Sequence, residues 1–161
     1  MDSLFESNIV RNTSLGAMAL WQFALSFYKQ QAKIAGPSLP AMMLALPMVF
    51  HEATVNAIAG RTRDGALLKA LAADRTITVG LQRRMQGYAD RTFRALNLAS
   101  AAGLLTLDKP SGPTVIPLLT AQPFRYASVE GQKILRAADR LGHSVALSGF
   151  ETCCSLLSVR F

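Results

Sequence analysis

Cysteine is scarce in this chain: Cys153 and Cys154 are the only two in 161 residues, and they are neighbours. A structural disulfide between adjacent residues is geometrically poor, so a disulfide scaffold is excluded and the usage fits a reducing cytoplasm. Histidine is as rare, with His51 and His143 far apart and no CxxC or HExxH spacing around them. No metal site is therefore expected. The ten acidic residues are scattered and form no pair at acid–base or metal spacing. Sequences of the types GxSxG, GxxxxGKS/T and GxGxxG are missing too, which leaves nucleophile-elbow, P-loop and dinucleotide chemistry without a starting point. No catalytic, metal-binding or cofactor-binding residue is assigned.

Long hydrophobic runs are also lacking. Leu15 to Tyr28 and Leu39 to Phe50 are strongly apolar but span 14 and 12 residues, short of the roughly 20 that a membrane-crossing helix needs. Asp2, Glu6 and Arg11 precede the first run, unlike the start of a cleaved signal. Both runs read as buried core helices, and no membrane association is expected.

What is present is apolar residue, half of the chain, with only 17% charged. A chain of 161 residues is expected to form one domain over 1–161, divided into an N-terminal helical part (1–60), a winged-helix-like unit (61–122) and a C-terminal helix and tail (123–161). Its apolar surplus exceeds what so short a chain readily buries, which points to a partner. The formal charge is +7, and Arg61 to Arg94 holds eight basic residues against three acidic ones. Such a stripe can meet phosphate or an acidic protein face, or can be a solvated helix face in which Asp90 pairs with Arg94.

The fold class read from these patterns is mainly α, a compact helical domain with one β-hairpin. Asn12 to Ser14 offer caps for a helix running to about Lys33, apolar most of the way round. Its Trp21, Phe23, Phe27 and Tyr28 are core anchors by composition, with Trp21, Phe23 and Phe27 also candidates for an apolar interface. Pro40 suits the first turn of a second helix, Pro47 kinks or stops it, and Glu52 to Ala59 continues as a short one. His51 reads as a helix-end hydrogen-bonding residue. After a turn at Arg61 to Gly65, a short helix places Leu67, Leu68 and Leu71 on its buried side. A long helix from Thr78 then carries Arg83, Arg84, Arg91 and Arg94 between its apolar positions and stops at Gly103. A break at Gly87 would instead detach Asp90 to Ala102 as a recognition helix. LLTL and TVIPLL, around a DKPSGP turn, form the hairpin, with Lys109 at its tip. Pro123 closes the unit, and Ser128 caps a helix ending at Gly142, with Val129, Ile134, Leu135, Ala138 and Leu141 as its apolar stripe and Lys133, Arg136 and Arg140 facing away. The tail is expected as a short helix and an extended end docked on the body.

Six fragments resemble one family: Asn12-x-x-Leu15-x-Ala17-x-x-Leu20, Leu46-Pro47-Met48-Val49-Phe50-His51-x-x-Thr54, Gly80-Leu81-x-x-Arg84, Thr92-x-x-Ala95-Leu96, Gly103-Leu104-Leu105 and Leu157-Ser158-Val159-Arg160. Together they are similar to the small middle component of three-component ABC-ATPase systems, which include Lamassu-type antiviral operons. Ser158 and Phe161 depart from that pattern, where glycine and proline are expected. The resemblance implies a non-enzymatic cytoplasmic adaptor that joins an SMC-like ABC ATPase to an effector, often a nuclease, and holds the effector in check until foreign DNA is sensed. On that reading Arg83, Arg84, Arg91, Arg94 and Lys109 are candidates for DNA or partner contact. The alternative is a free-standing winged-helix regulator, with Arg91 and Arg94 reaching bases or phosphates and Lys109 touching backbone.

Overall fold

A computed structural model describes residues 13–108, 112–121 and 128–161. In chain order these form α1 (Thr13–Gln30), α2 (Leu39–Val49), α3 (Glu52–Ala59), α4 (Ala66–Ala73), a 3-10 turn (Arg75–Thr78), α5 (Leu81–Ala101), β1 (Leu105–Asp108), β2 (Thr114–Pro117), α6 (Val129–Ser148) and α7 (Phe150–Leu157). The molecule is mainly helical with one two-stranded antiparallel sheet, as the patterning anticipates. Asn12, Lys109 and Pro123 lie outside the described residues.

α1 is buried on most of its circumference because charged side chains are missing from Thr13 to Tyr28. It packs chiefly along α6, and also against α5 and α2. Leu20, Trp21 and Phe23 are fully enclosed, and the indole Nε1 of Trp21 donates to the Leu119 carbonyl at 3.0 Å. Burying that N–H with a partner avoids the penalty of an orphaned donor.

Gly142 makes the α1–α6 approach possible. A methyl group there would lie 2.3 Å from the Phe23 carbonyl oxygen, so the two helix backbones touch. The expectation that Gly142 ends the helix is corrected: α6 continues to Ser148, and Gly149, at φ 87°, ends it. Glycine served close packing there, which weakens the helix slightly but admits a neighbouring backbone. Ser128 does cap α6, its hydroxyl accepting from Gly131 N–H at 3.1 Å. Val129, expected in the buried stripe, is 78% exposed at the first position of α6; Ile134, Leu135, Ala138 and Leu141 are buried.

Ser38 caps α2 by accepting from Ala41 N–H at 3.3 Å, with Pro40 in the first turn. Pro47 sits inside the last turn, and α2 gives way to α3 through a 98° bend. His51 stands at that corner with Nδ1 2.8 Å from Thr54 Oγ1. In α4, Leu67 is buried with Ala66 and Ala70, whereas Leu68 is 47% exposed, contrary to the expected stripe. Small alanines are enough to seat so short a helix, so Leu68 turns outward.

The long helix begins at Leu81 rather than Thr78. Asp74 accepts from Thr76 N–H at 2.9 Å and closes the 3-10 turn, and Gly80, at φ 70°, redirects the chain. Val79 is left 68% exposed in that turn. α5 then runs unbroken through Gly87 to Ala101, which decides between one helix and two. In the hairpin, Leu105 pairs with Pro117, Thr106 with Ile116, Leu107 with Val115 and Asp108 with Thr114. After α7, Val159 is buried, and Gln82 clasps Arg160 by accepting from its N–H at 2.8 Å and donating to its carbonyl at 2.9 Å. The docked end follows the expectation from the tail's composition.

Candidate partner-binding surface

α5 turns Leu81, Met85, Thr92, Ala95 and Ala99 into the core. Residues at the opposite phase must then face solvent. Arg83, Asp90 and Arg94, separated by seven and four positions, share that outer side, and Arg94 Nη2 lies 3.0 Å from Asp90 Oδ2 with both side chains largely exposed. A pair this exposed contributes a few tenths of a kcal/mol at most, roughly 0.3–0.5 for i, i+4 geometry. Arg91 is exposed beside them, its guanidinium carbon 5.3 Å from the Tyr88 ring centroid. Tyr88 in turn lies 6.2 Å from the Phe50 ring, which anchors this cation–π contact to the core.

Arg84 belongs elsewhere. Its guanidinium donates to the carbonyls of Val79 (2.8 Å), Ile77 (3.2 Å) and Pro47 (3.3 Å), tying the start of α5 to the end of α2. A cation satisfying three carbonyls that no helix bond claims is a structural clasp. Of the five basic candidates, Arg83, Arg91 and Arg94 therefore form the exposed ridge, Arg84 is withdrawn from it, and Lys109 lies outside the described residues.

The apolar candidates are redistributed as well. Trp21 and Phe23 are wholly inside this chain's own core, so they offer no docking surface; Phe27 is half-buried. Buried aromatics and interface aromatics share a composition, which is why the sequence pattern does not separate them. Exposed apolar side chains are spread over the surface, Ile34, Val129 and Leu147 among them, and on α5 and the hairpin they include Phe93, Leu98 and Leu107. Phe93 and Leu96 line a groove of about 160 Å³ together with Leu39, Leu105, Leu107 and Val115. Phe93, three residues after Asp90 and four before Asn97, shares their flank of α5 rather than the side of Arg91.

A second, polar pocket opens between α1 and α6. There Asp139 accepts from Arg63 (2.8 Å) and from Gln22 (3.2 Å), and His143 Nε2 lies 2.7 Å from Asp64 Oδ1. Ser26, also on its wall, is buried with a hydroxyl that makes no hydrogen bond among the described residues, to His143 or another group. The hydroxyl–imidazole bond of an activated nucleophile is thus not assembled. Cys153 is equally unsuited, since burial pushes its thiol up to about 11. Among the described residues, no group of three His, Cys, Asp or Glu side chains could hold a metal ion.

The helical domain with its hairpin thus exposes three arginines on α5 and an apolar groove between α5 and the hairpin. The chain matches the family of ABC-three component (ABC-3C) system Middle Component 3 over residues 2–161, and it belongs to that family. It is therefore a middle component of a multi-component ABC system. No curated protein matches it, and no solved structure does. Among the described residues no single helix is long and apolar enough to cross a membrane.

Proposed function

We propose that this chain is a non-catalytic adaptor that joins an SMC-like coiled-coil ABC ATPase to an effector, a nuclease, in a cytoplasmic DNA-sensing antiviral complex of the Lamassu type. Membership of the middle-component family carries the reading, because it makes the chain one part of a system whose other parts must be held together. The surface chemistry supports it. Arg83, Arg91 and Arg94 present positive charge on the exposed side of α5, Arg94 paired with Asp90 and Arg91 resting on Tyr88, and Phe93 and Leu98 are exposed on the same helix. Such a mixed face suits an acidic protein surface, with DNA reached through the assembled complex. A free-standing regulator would need a separate recognition helix, and α5 is continuous where that helix would have to begin.

The test is to co-purify the tagged chain with the other components encoded beside it and to determine masses and stoichiometry. Stoichiometric recovery with a coiled-coil ATPase supports the adaptor. A lone homodimer that shifts duplex DNA overturns it in favour of the regulator. Reversing Arg83, Arg91 and Arg94 to glutamate should weaken the recovered complex in a salt-dependent way and leave the fold intact.

A further inference from the structure

Glycine inside a helix needs a reason, because it gives up more conformational freedom on folding than any other residue and weakens the helix. Other glycines in this chain show theirs. Gly142 and Gly36 admit neighbouring backbone that a methyl group would meet at 2.3 and 1.8 Å, Gly16 admits the Ala95 methyl at 3.2 Å, and five others, Gly80 among them, hold a positive φ. Gly87 has neither duty. It lies inside the 21-residue α5 without a positive φ, and a methyl group there would meet nothing within 4 Å among the described residues. The packing described within this chain asks for no glycine at that position.

What surrounds Gly87 is exposed and mostly cationic. Positions i, i+4, i+7 and i+11 of a helix share one face. From Gly87 these are Arg91, Arg94 and Leu98, all exposed, and Arg83, four residues earlier, continues the row towards the start of α5. Asp90 is the one carboxylate on this side of α5, 3.0 Å from Arg94. Three guanidinium groups against one carboxylate leave positive charge in excess on both sides of the bare backbone at Gly87.

We propose that the outer face of α5 takes an acidic α-helix from another component of the same system, crossing α5 at Gly87. The inference rests on the adaptor reading and adds to it the shape and charge of the contact. A missing side chain at the crossing point lets two helices approach closely, as Gly142 does for α1 and α6 within this chain. Carboxylates on the incoming helix then meet Arg83 before the crossing and Arg91 and Arg94 beyond it, and an apolar side chain further along covers Leu98. Charge selects against a second copy of α5, which would set guanidinium against guanidinium. Nucleic acid fits less well, because long arginine side chains reach phosphate past a methyl group and would leave Gly87 without a purpose.

The test uses substitutions that should help the chain and harm the complex. Each full-length variant is titrated with the component that co-purifies with the wild type, and the thermal unfolding of the chain alone is measured beside it. Gly87→Ala should raise the unfolding temperature by about 2–4 °C, since alanine suits a helix interior. The same change should weaken affinity about tenfold, and the larger Gly87→Gln about a hundredfold. Gln86→Ala, exposed on the adjoining flank, should leave affinity within about twofold. Gly87→Ala and Gly87→Gln chains that bind as tightly as wild type overturn the helix crossing and spare the adaptor. A lowered unfolding temperature in both would show that the glycine serves the fold and overturns the crossing as well. A wild-type chain that binds no component overturns both readings. A homodimer that Gly87→Gln dissolves overturns the partner helix in favour of a second copy, and duplex DNA bound through Arg91 and Arg94 regardless of residue 87 overturns it in favour of nucleic acid.

Discussion

The seam between α1 and α6 and the outer side of α5 use the same residue types to opposite ends. In the seam, small residues let backbones meet: Gly142 abuts Phe23, and Ala19, Ala24, Ala137 and Ala138 are almost wholly enclosed. On α5, Leu81, Met85, Ala95 and Ala99 seat the helix on the core, while Arg83, Phe93, Arg94 and Leu98 go outward. The seam spends its side-chain volume on stability. α5 reserves it for contact with something else, so changes on the two surfaces should separate cleanly in experiment.

The largest effect is expected in the seam. Gly142→Ala forces α1 and α6 apart and should cost about 3 kcal/mol, lowering Tm by roughly 6–12 °C in a chain of this size. Unchanged thermal unfolding would show that the backbones do not touch. Next comes a contrast inside the basic stripe. Arg84→Ala should lose about 2 kcal/mol in urea denaturation by abandoning three carbonyls, while Arg83→Ala stays within about 0.5 kcal/mol as an exposed change. Equal costs for the two would erase the distinction between clasp and ridge.

A smaller effect concerns pH. The buried Cys153 thiol keeps its proton up to about 11, against an ordinary value of 9.0. Its raised value means that the stability it supports is complete below pH 9 and lost as pH rises through about 11. Urea midpoints should therefore fall over that alkaline range in the wild type and less so in Cys153→Ala; parallel curves would remove the thiol as the cause. The smallest change is a gain. Ser158, at φ 58°, holds the left-handed position after α7 that glycine adopts without cost, so Ser158→Gly should stabilise by about 1 kcal/mol. A loss would mean that the Ser158 side chain contributes more than its backbone strain.

Much of the fold is legible because it depends on local chemistry. Ser38 with Pro40 and Ser128 before a periodic run announce helix starts, and two β-prone runs around a proline-rich turn announce a hairpin. Tertiary demands decide the rest. Gly142 has the composition of a stop and the role of a contact, and nothing nearby in sequence records that Phe23 will lie against it. Arg84 looks like its neighbour Arg83 until the chain brings Pro47 to it; the Gly80-Leu81-x-x-Arg84 fragment carries the signal, as a turn with its own clasp.

The order in which these pieces are made has a consequence of its own. α1 leaves the ribosome well before α6: Gln22 bonds to Asp139, 117 residues later. At about 5–20 residues per second, that interval lasts roughly 6–23 s. For that time α1, with no charged side chain from Thr13 to Tyr28, has nothing to lie against along its α6 side, so production of this protein should depend more on what shelters nascent α1 than on how stable the finished molecule is.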